Sequence, residues 1–421
     1  MKVAIVGAGP AGCRAAMLLA THGIKADVFE ARDRLGGRLK TVPNGDGFYE
    51  AGGEWIDAEH TRVLDLIREF GEEPEVSTQW PGKVVFRGES CPEDDLWPDV
   101  AEDAGRVAEA IDFACLDLVE TPWENVLYQN LDNQTVSEFL DQNTCSPRGR
   151  WFMEGATRSD EGEDTANIGL LGFLIGQLHY LDRTGGEMSA YRIPHGGEWF
   201  CQQMLNRAGV QAQFNSPLNA VERTPTGVRL EFVNQTVEHD RVILTLPPAA
   251  LEQIRFDFVS EDKLAAWSAM GMGRIVKVRA TLNKRVWEGT ARRLTDLPTQ
   301  QTWDAARSGS PPTLACYICG DGAEALMQSE NPGEVVLNHL DEIYPGARAA
   351  CVDVELYDWA ADPFAGGGFP YYAPGYALNH SQHLARSEGN VHFAGDYAAD
   401  WFGFIEGALE SAERAVNEVI D

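Results

Sequence analysis

Two hydrophobic periods alternate along this chain. Residues 2–6 are a continuous apolar run of strand length, 10–22 repeat apolar positions at helical spacing, and 25–29 (Lys-Ala-Asp-Val-Phe) read as a second strand. Residues 57–70 carry another helical pattern. Strand-like alternation returns at 227–233 and in Val242-Ile-Leu-Thr-Leu, which Pro247-Pro248 closes. It recurs at 274–282 and 313–319, as expected of a sheet in a second domain. A strand at 391–394, a turn and a helix over about 403–419 follow. Between 80 and 160 the composition turns acidic and Trp-rich, with prolines at 81, 92 and 98, which marks an inserted neighbourhood. No internal repeat and no Gly/Ser-rich linker gives a clean boundary, so two domains with interleaved segments are expected of the 421 residues.

Composition narrows the partners. With 65 acids against 34 bases the net charge is -31, which repels phosphate backbones and anionic lipid. Neither a nucleic acid nor a membrane partner is expected; the surplus fits solubility or a salty habitat. Gly7, Gly9 and Pro10 interrupt any apolar leader, and the longest apolar run, Ile168 to Leu178, is about half of a bilayer span. The expectation is a soluble, cytoplasmic protein. Its eight cysteines are scattered, as for reduced and mostly buried thiols. Cys316-Tyr-Ile-Cys319 falls in a strand-like stretch where residues three apart point to opposite faces, which argues against a redox or zinc pair.

The first elements carry a ligand signature. Gly7-Ala-Gly9-Pro10-Ala11-Gly12 joins the first strand to the first helix. Gly7 permits a tight turn, Gly9 lets backbone approach a pyrophosphate, and Gly12 lets helix and strand pack closely. The helix N-terminus presents unpaired N–H groups to the phosphates. Glu30 ends the second strand at the distance expected of an acid that accepts from both ribose hydroxyls, and it repels a 2′-phosphate. The unit continues as Glu30-Ala31-Arg32-Asp-Arg34-Leu-Gly36-Gly37-Arg38, and then comes Gly52-Gly53-Glu54-Trp55. A second glycine pair and a basic cluster extend the ligand past one nucleotide. Arg38 is placed to neutralise pyrophosphate, and Gly52 and Gly53 let a planar ring lie against backbone.

These blocks resemble the flavin-containing monoamine oxidase family, which includes polyamine and L-amino-acid oxidases. The resemblance continues in Met270-Gly-Met-Gly273-Arg-Ile-Val-Lys277, similar to the stretch that bears the family's flavin-facing lysine. Trp359 through Phe369, with Pro374-Gly375, resembles the segment beside the isoalloxazine ring. Phe393-Ala-Gly395-Asp396 and Phe404-Ile405-Glu-Gly-Ala408 resemble the closing flavin motif. The resemblance implies FAD, with Asp396 bonding its ribityl or phosphate portion and Ile405 and Ala408 placing a helix N-terminus near the pyrimidine end. Val221 would contact adenine through its main chain. Gly368 stands where mitochondrial members carry the cysteine that links to flavin, so the FAD is expected to be non-covalent. Phe369 and Phe404 stand for the two aromatics that sandwich the substrate amine, with phenylalanine where tyrosine is common. The implied architecture is α/β: a Rossmann-like FAD-binding domain from discontinuous segments (1–78, 195–270 and 355–421) interleaved with an α+β substrate-binding domain (79–194 and 271–354).

The implied reaction oxidises a C–N bond of a primary or secondary amine or an L-amino acid by hydride transfer to flavin N5. Dioxygen then reoxidises the flavin to give hydrogen peroxide, and a homodimer is compatible with the chain. Two facing aromatics exclude water and disfavour the ammonium form of the substrate. On pattern alone Phe369 and Phe404 read as core, and Lys277 as a sheet lysine; the flavin blocks around them favour the site. On alternation Lys277 shares a face with Ile275, and an inward lysine needs a partner. Trp55 is expected to line the cavity, and Glu54 to face the flavin or cap the next helix. Arg192 would bind a substrate carboxylate in an amino-acid oxidase but reads better as a surface or structural arginine. The acidic run Asp160 to Asp164 reads as dipole compensation for a following apolar helix. Two other readings stay open: a flavin-dependent desaturase or isomerase on a large apolar substrate, and a non-catalytic flavin-binding protein.

Overall fold

The computed structural model describes residues 1–77, 82–116, 118, 125–180 and 188–421; Pro81 lies outside the described residues. Strand β1 (Val3–Val6) is buried along its whole length and leads into helix α1 (Pro10–Thr21), with β2 (Asp27–Phe29) beside it. Both join a five-stranded parallel sheet in the order Ala212–Gln213, β2, β1, Arg241–Leu244, Val391–Phe393. Burial on both faces explains why these strands are runs of Val, Ile and Leu without alternation. One face carries α1 with the helices Gly197–Ala208 and Ile405–Ile420 around a core that includes Ile5, Leu19, Met204 and Leu409. The other face packs on Trp267, Leu251 and a small antiparallel meander over 218–239.

A second sheet has seven strands, in the order Cys351–Asp358, Ile275–Leu282, Thr313–Cys319, Gln301–Asp304, Arg293–Thr295, Lys83–Phe86, Glu89–Pro92. Its pairings are antiparallel except that of Arg293–Thr295 with Lys83–Phe86. The boundary expected at 354/355 falls inside Cys351–Asp358, which pairs with Ile275–Leu282 as far as Asp358, so the second sheet claims those residues. Alternation in Ile275–Leu282 is present, yet all eight residues are buried. Val276, Val278, Ala280 and Leu282 face a core under the flanking helices. The other face meets the first domain: Arg279 donates to the Pro43 carbonyl at 2.9 Å, and the Tyr49 hydroxyl donates to the Val278 carbonyl at 3.0 Å.

A helical layer (Pro98–Leu116, Val136–Asn143, Pro147–Glu161, Leu170–Gln177) covers the junction of the two sheets. The acidic run corrects the expectation. It ends the Pro147–Glu161 helix rather than opening the next one, whose first turn has no acid and whose N-cap is Gly169. Glu163 pairs with Arg274, and Asp164 accepts from Arg158 at 2.6 Å and from the Asp321 backbone N–H at 2.7 Å. Local cations therefore fix these acids at a junction with the second sheet. Cys316 and Cys319 are free, fully buried and packed in different clusters, as opposite strand faces require. Among the described residues no helix is long and apolar enough to cross a membrane.

Candidate active site

The end of β1 shows why glycine recurs. At Gly7, φ is +105° and a Cβ would lie 2.5 Å from Thr245 Oγ1; at Gly12 a Cβ would lie 1.9 Å from the Gly7 carbonyl oxygen. The second contact is the close helix–strand approach expected of the third glycine. Gly9 is the N-cap of α1 and no side chain caps the helix, so its first N–H groups stay available. Beside them Glu30 is buried, and its two oxygens accept from the Ala8 N–H at 2.8 Å and the Arg32 N–H at 2.9 Å. Backbone donors thus hold an acid next to the open helix end.

Chain-distant segments meet further along. Arg38 pairs with Asp396 and donates to the Gly368 carbonyl at 3.1 Å. Gly52 fits only as glycine, since a Cβ would lie 2.0 Å from the Arg38 carbonyl oxygen. Trp359 is tied by its indole N–H to the Ala51 carbonyl at 2.9 Å. The Ile405–Ile420 helix starts at Phe404 with no side-chain cap, a second open N-terminus.

Lys277 points inward, as its shared face with Ile275 requires. Its Nζ donates to Glu54 Oε2 at 2.8 Å and to the Gly52 carbonyl at 3.1 Å. Glu54 therefore faces the lysine and does not cap a helix. Burial pushes the Glu54 carboxyl up, but the charges of Lys277, Arg192 and Arg307 overcome this and leave it below the ordinary carboxylate range. Arg192 is 4% exposed, so it is not a surface residue. It bonds Glu54 Oε1 at 3.4 Å and Glu75 Oε1 at 2.6 Å, and its guanidinium lies 5.3 Å from the Trp55 ring centroid. Nearby Glu50 is buried, with Oε1 accepting from Thr41 Oγ1 at 2.7 Å and the Gly197 N–H at 3.2 Å, while Oε2 has no partner. Burial pushes its carboxyl up to about 7. Phe404 packs against His60 and Trp401, at ring separations of 4.9 and 6.0 Å. Gly403, just before it, has φ +83° and lies beside Phe369, to which a Cβ would make an ordinary contact at 3.9 Å.

One cavity of about 540 Å³ joins the glycine turn and Glu30 to Arg38, Glu54, Lys277, Phe369 and Phe404. Every site residue expected from sequence lines it except Gly12 and Val221. Gly12 acts behind the wall, through packing. Val221 is fully buried in the core of the first sheet, and the wall there is Ser216, Pro217 and Leu218. Sequence reasoning missed Phe152 and Asp160 on the helical layer, Trp303 and Tyr317 on the second sheet, and the Glu93–Arg292 pair at 3.0 Å. Tyr317 had a readable signal, since it lies between the two cysteines and alternation sets it opposite Cys316. The described residues hold no cluster of His, Cys, Asp and Glu that suits a metal.

Residues 10–420 match the family described as flavin containing amine oxidoreductase. The chain belongs to this family. It is 25% identical to the flavin-containing amine oxidase A of Canis lupus familiaris, over 100% of this chain and 85% of the relative. It is 26% identical to amine oxidase B of Cavia porcellus, over 100% and 86%. Among solved structures, cyclohexylamine oxidase from Brevibacterium oxydans superposes with a TM-score of 0.89 at 24% identity, covering 99% of this chain and 98% of that one. A putrescine oxidase bound to putrescine gives 0.89 at 21%, covering 100% and 99%. Membership makes the chain a flavin-dependent oxidoreductase acting on amines. The residues present fit a flavin: glycine cradles that a Cβ would fill, two uncapped helix ends for its oxygens and phosphate, and a wall of Trp and Phe for an apolar ring.

Proposed function

We propose that this chain is an FAD-dependent oxidase of primary or secondary amines that carry no α-carboxylate. One observation carries the choice of amine over amino acid. The cations on the described cavity wall are Arg32, Arg38, Lys277 and Arg292, and each is paired with an acid of this chain: Asp362 at 2.6 Å, Asp396, Glu54 at 2.8 Å and Glu93 at 3.0 Å. A substrate carboxylate would enter without a counter-charge, which is costly in a desolvated site. The glycine turn and Glu30 support the dinucleotide form of the flavin. Gly368, with no cysteine or histidine on the described wall, supports a cofactor held without a covalent link.

When bound, the flavin supplies a hydride acceptor for the amine α-carbon, and dioxygen regenerates it with release of hydrogen peroxide. Phe369 and Phe404 confine the nitrogen and exclude water, which favours the neutral amine that can give up hydride. The product imine is hydrolysed by water to a carbonyl compound and ammonia or a smaller amine. Free, mostly buried thiols agree with a reducing compartment, and we place the protein in the cytoplasm. The test is anaerobic bleaching of the purified flavoprotein against primary amines, polyamines and L-amino acids. Amines should bleach the flavin and amino acids should not; an L-amino acid that bleaches fastest refutes the substrate assignment.

A further inference from the structure

A buried chain of charges leads away from the cavity. Lys277 Nζ sits 2.8 Å from Glu54 Oε2, Glu54 Oε1 is 3.4 Å from Arg192, Arg192 is 2.6 Å from Glu75, and Glu75 is 2.7 Å from Arg307. Only Glu75, at 36% side-chain exposure, reaches solvent. The lysine ammonium also lies 5.4 and 5.3 Å from the ring centroids of Tyr49 and Trp303. Replacing such buried ions by packed apolar residues is often neutral or stabilising, so packing alone does not call for them. Without Glu54 the ammonium would keep a single fixed acceptor, the Gly52 carbonyl, at the end of a side chain with four rotatable bonds.

We propose that Glu54 is a positioning residue: braced by Arg192, it fixes the Lys277 ammonium at one place on the cavity wall. Lys277 lines the cavity from the second sheet, whereas Arg192 lies in, and Glu54 immediately precedes, a small separate sheet in which Trp55–Ile56 pairs with Tyr191–Arg192. The ion pair therefore also sets the spacing between two elements that bound the site. This rests on the oxidase reading only for its kinetic consequence, not for the geometry.

The test uses the flavin-loaded protein and two readouts. Acylation of Lys277 by acetic anhydride, followed by peptide mass, should be about tenfold faster in Glu54→Gln, since Nζ then loses the buried ion pair that holds it at 2.8 Å and its flexible stem can reach the reagent. Glu54→Asp should restore part of the protection. In stopped-flow work, a displaced Lys277 should change one half-reaction, anaerobic reduction by amine or reoxidation by dioxygen, more than the other in Glu54→Gln, a split that general loosening does not produce. Should Glu54→Gln not fold, Glu54→Asp and Arg192→Lys carry the same test, with intermediate labelling expected. Labelling at the wild-type rate in the folded variants overturns the proposal. Faster labelling with no amine able to bleach the flavin keeps the positioning and rejects the oxidase reading.

Discussion

Replacing Glu50 by glutamine isolates one buried carboxyl whose second oxygen has no partner. Burial holds it at about 7 against an ordinary 4.5, so the folded protein keeps a proton there that the unfolded chain has lost. Below pH 4.5 both states are protonated and the group is neutral to stability. Between 4.5 and 7 the folded state is penalised by about 1.4 kcal/mol per pH unit, reaching about 3 kcal/mol above pH 7. Glu50→Gln keeps the acceptor used by Thr41 and Gly197 and removes the penalty. At about 2.1 cal/mol/K per residue, 421 residues give an unfolding entropy near 0.9 kcal/mol/K, so 3 kcal/mol corresponds to about 3–4 °C. Scanning calorimetry of both proteins from pH 4.5 to 8 should show the variant gaining that much in Tm over wild type, mostly below pH 7. The remaining acids cancel in the difference. A constant difference across this range would refute the assignment of the proton to Glu50.

Three further outcomes follow from the cavity wall and the packing behind it. Gly12→Ala forces a Cβ to within 1.9 Å of the Gly7 carbonyl oxygen, so the purified protein should lose most of its flavin absorbance and melt lower by about 1–3 kcal/mol. Phe404→Ala opens the wall beside His60 and Trp401 and should lower kcat/KM for the best amine by about 10²-fold, with the flavin still bound. Acid precipitation should release the flavin to the supernatant; yellow colour retained in the pellet would contradict a non-covalent cofactor.

Much of the first domain was readable because its rules are local. A buried parallel strand, three glycines and an acid at the end of the next strand each state their reason within thirty residues, and β1, α1 and β2 lie where that pattern puts them. Alternation tied Lys277 to the face of Ile275 but alone read it as an exposed sheet lysine; the resemblance after Gly273 favoured the inward reading. What stayed hidden depends on tertiary partners. Nothing near Arg192 in sequence announces Glu54 or Glu75, so a surface and a structural arginine stayed open, and its buried ion pairs make it structural. The acidic run was assigned to the wrong helix end because Arg274, more than a hundred residues away, supplies the counter-charge of Glu163 and Asp164. Phe152, Trp303 and Tyr317 sit in ordinary helix and strand patterns, and only the docking of the second sheet turns them toward the cavity.

The pairing of Arg38 with Asp396 spans almost the whole chain, and the strand Val391–Phe393 and helix Ile405–Ile420 complete walls begun at residue 7. During synthesis, the cofactor pocket therefore stays unfinished until residue 408 has cleared the ribosome, whatever has already folded upstream. Flavin therefore enters late, as a ligand that stabilises a nearly complete chain. Ribosome-bound nascent chains that end before Val391 should retain no flavin on washing, whereas full-length chains released with flavin present should carry it.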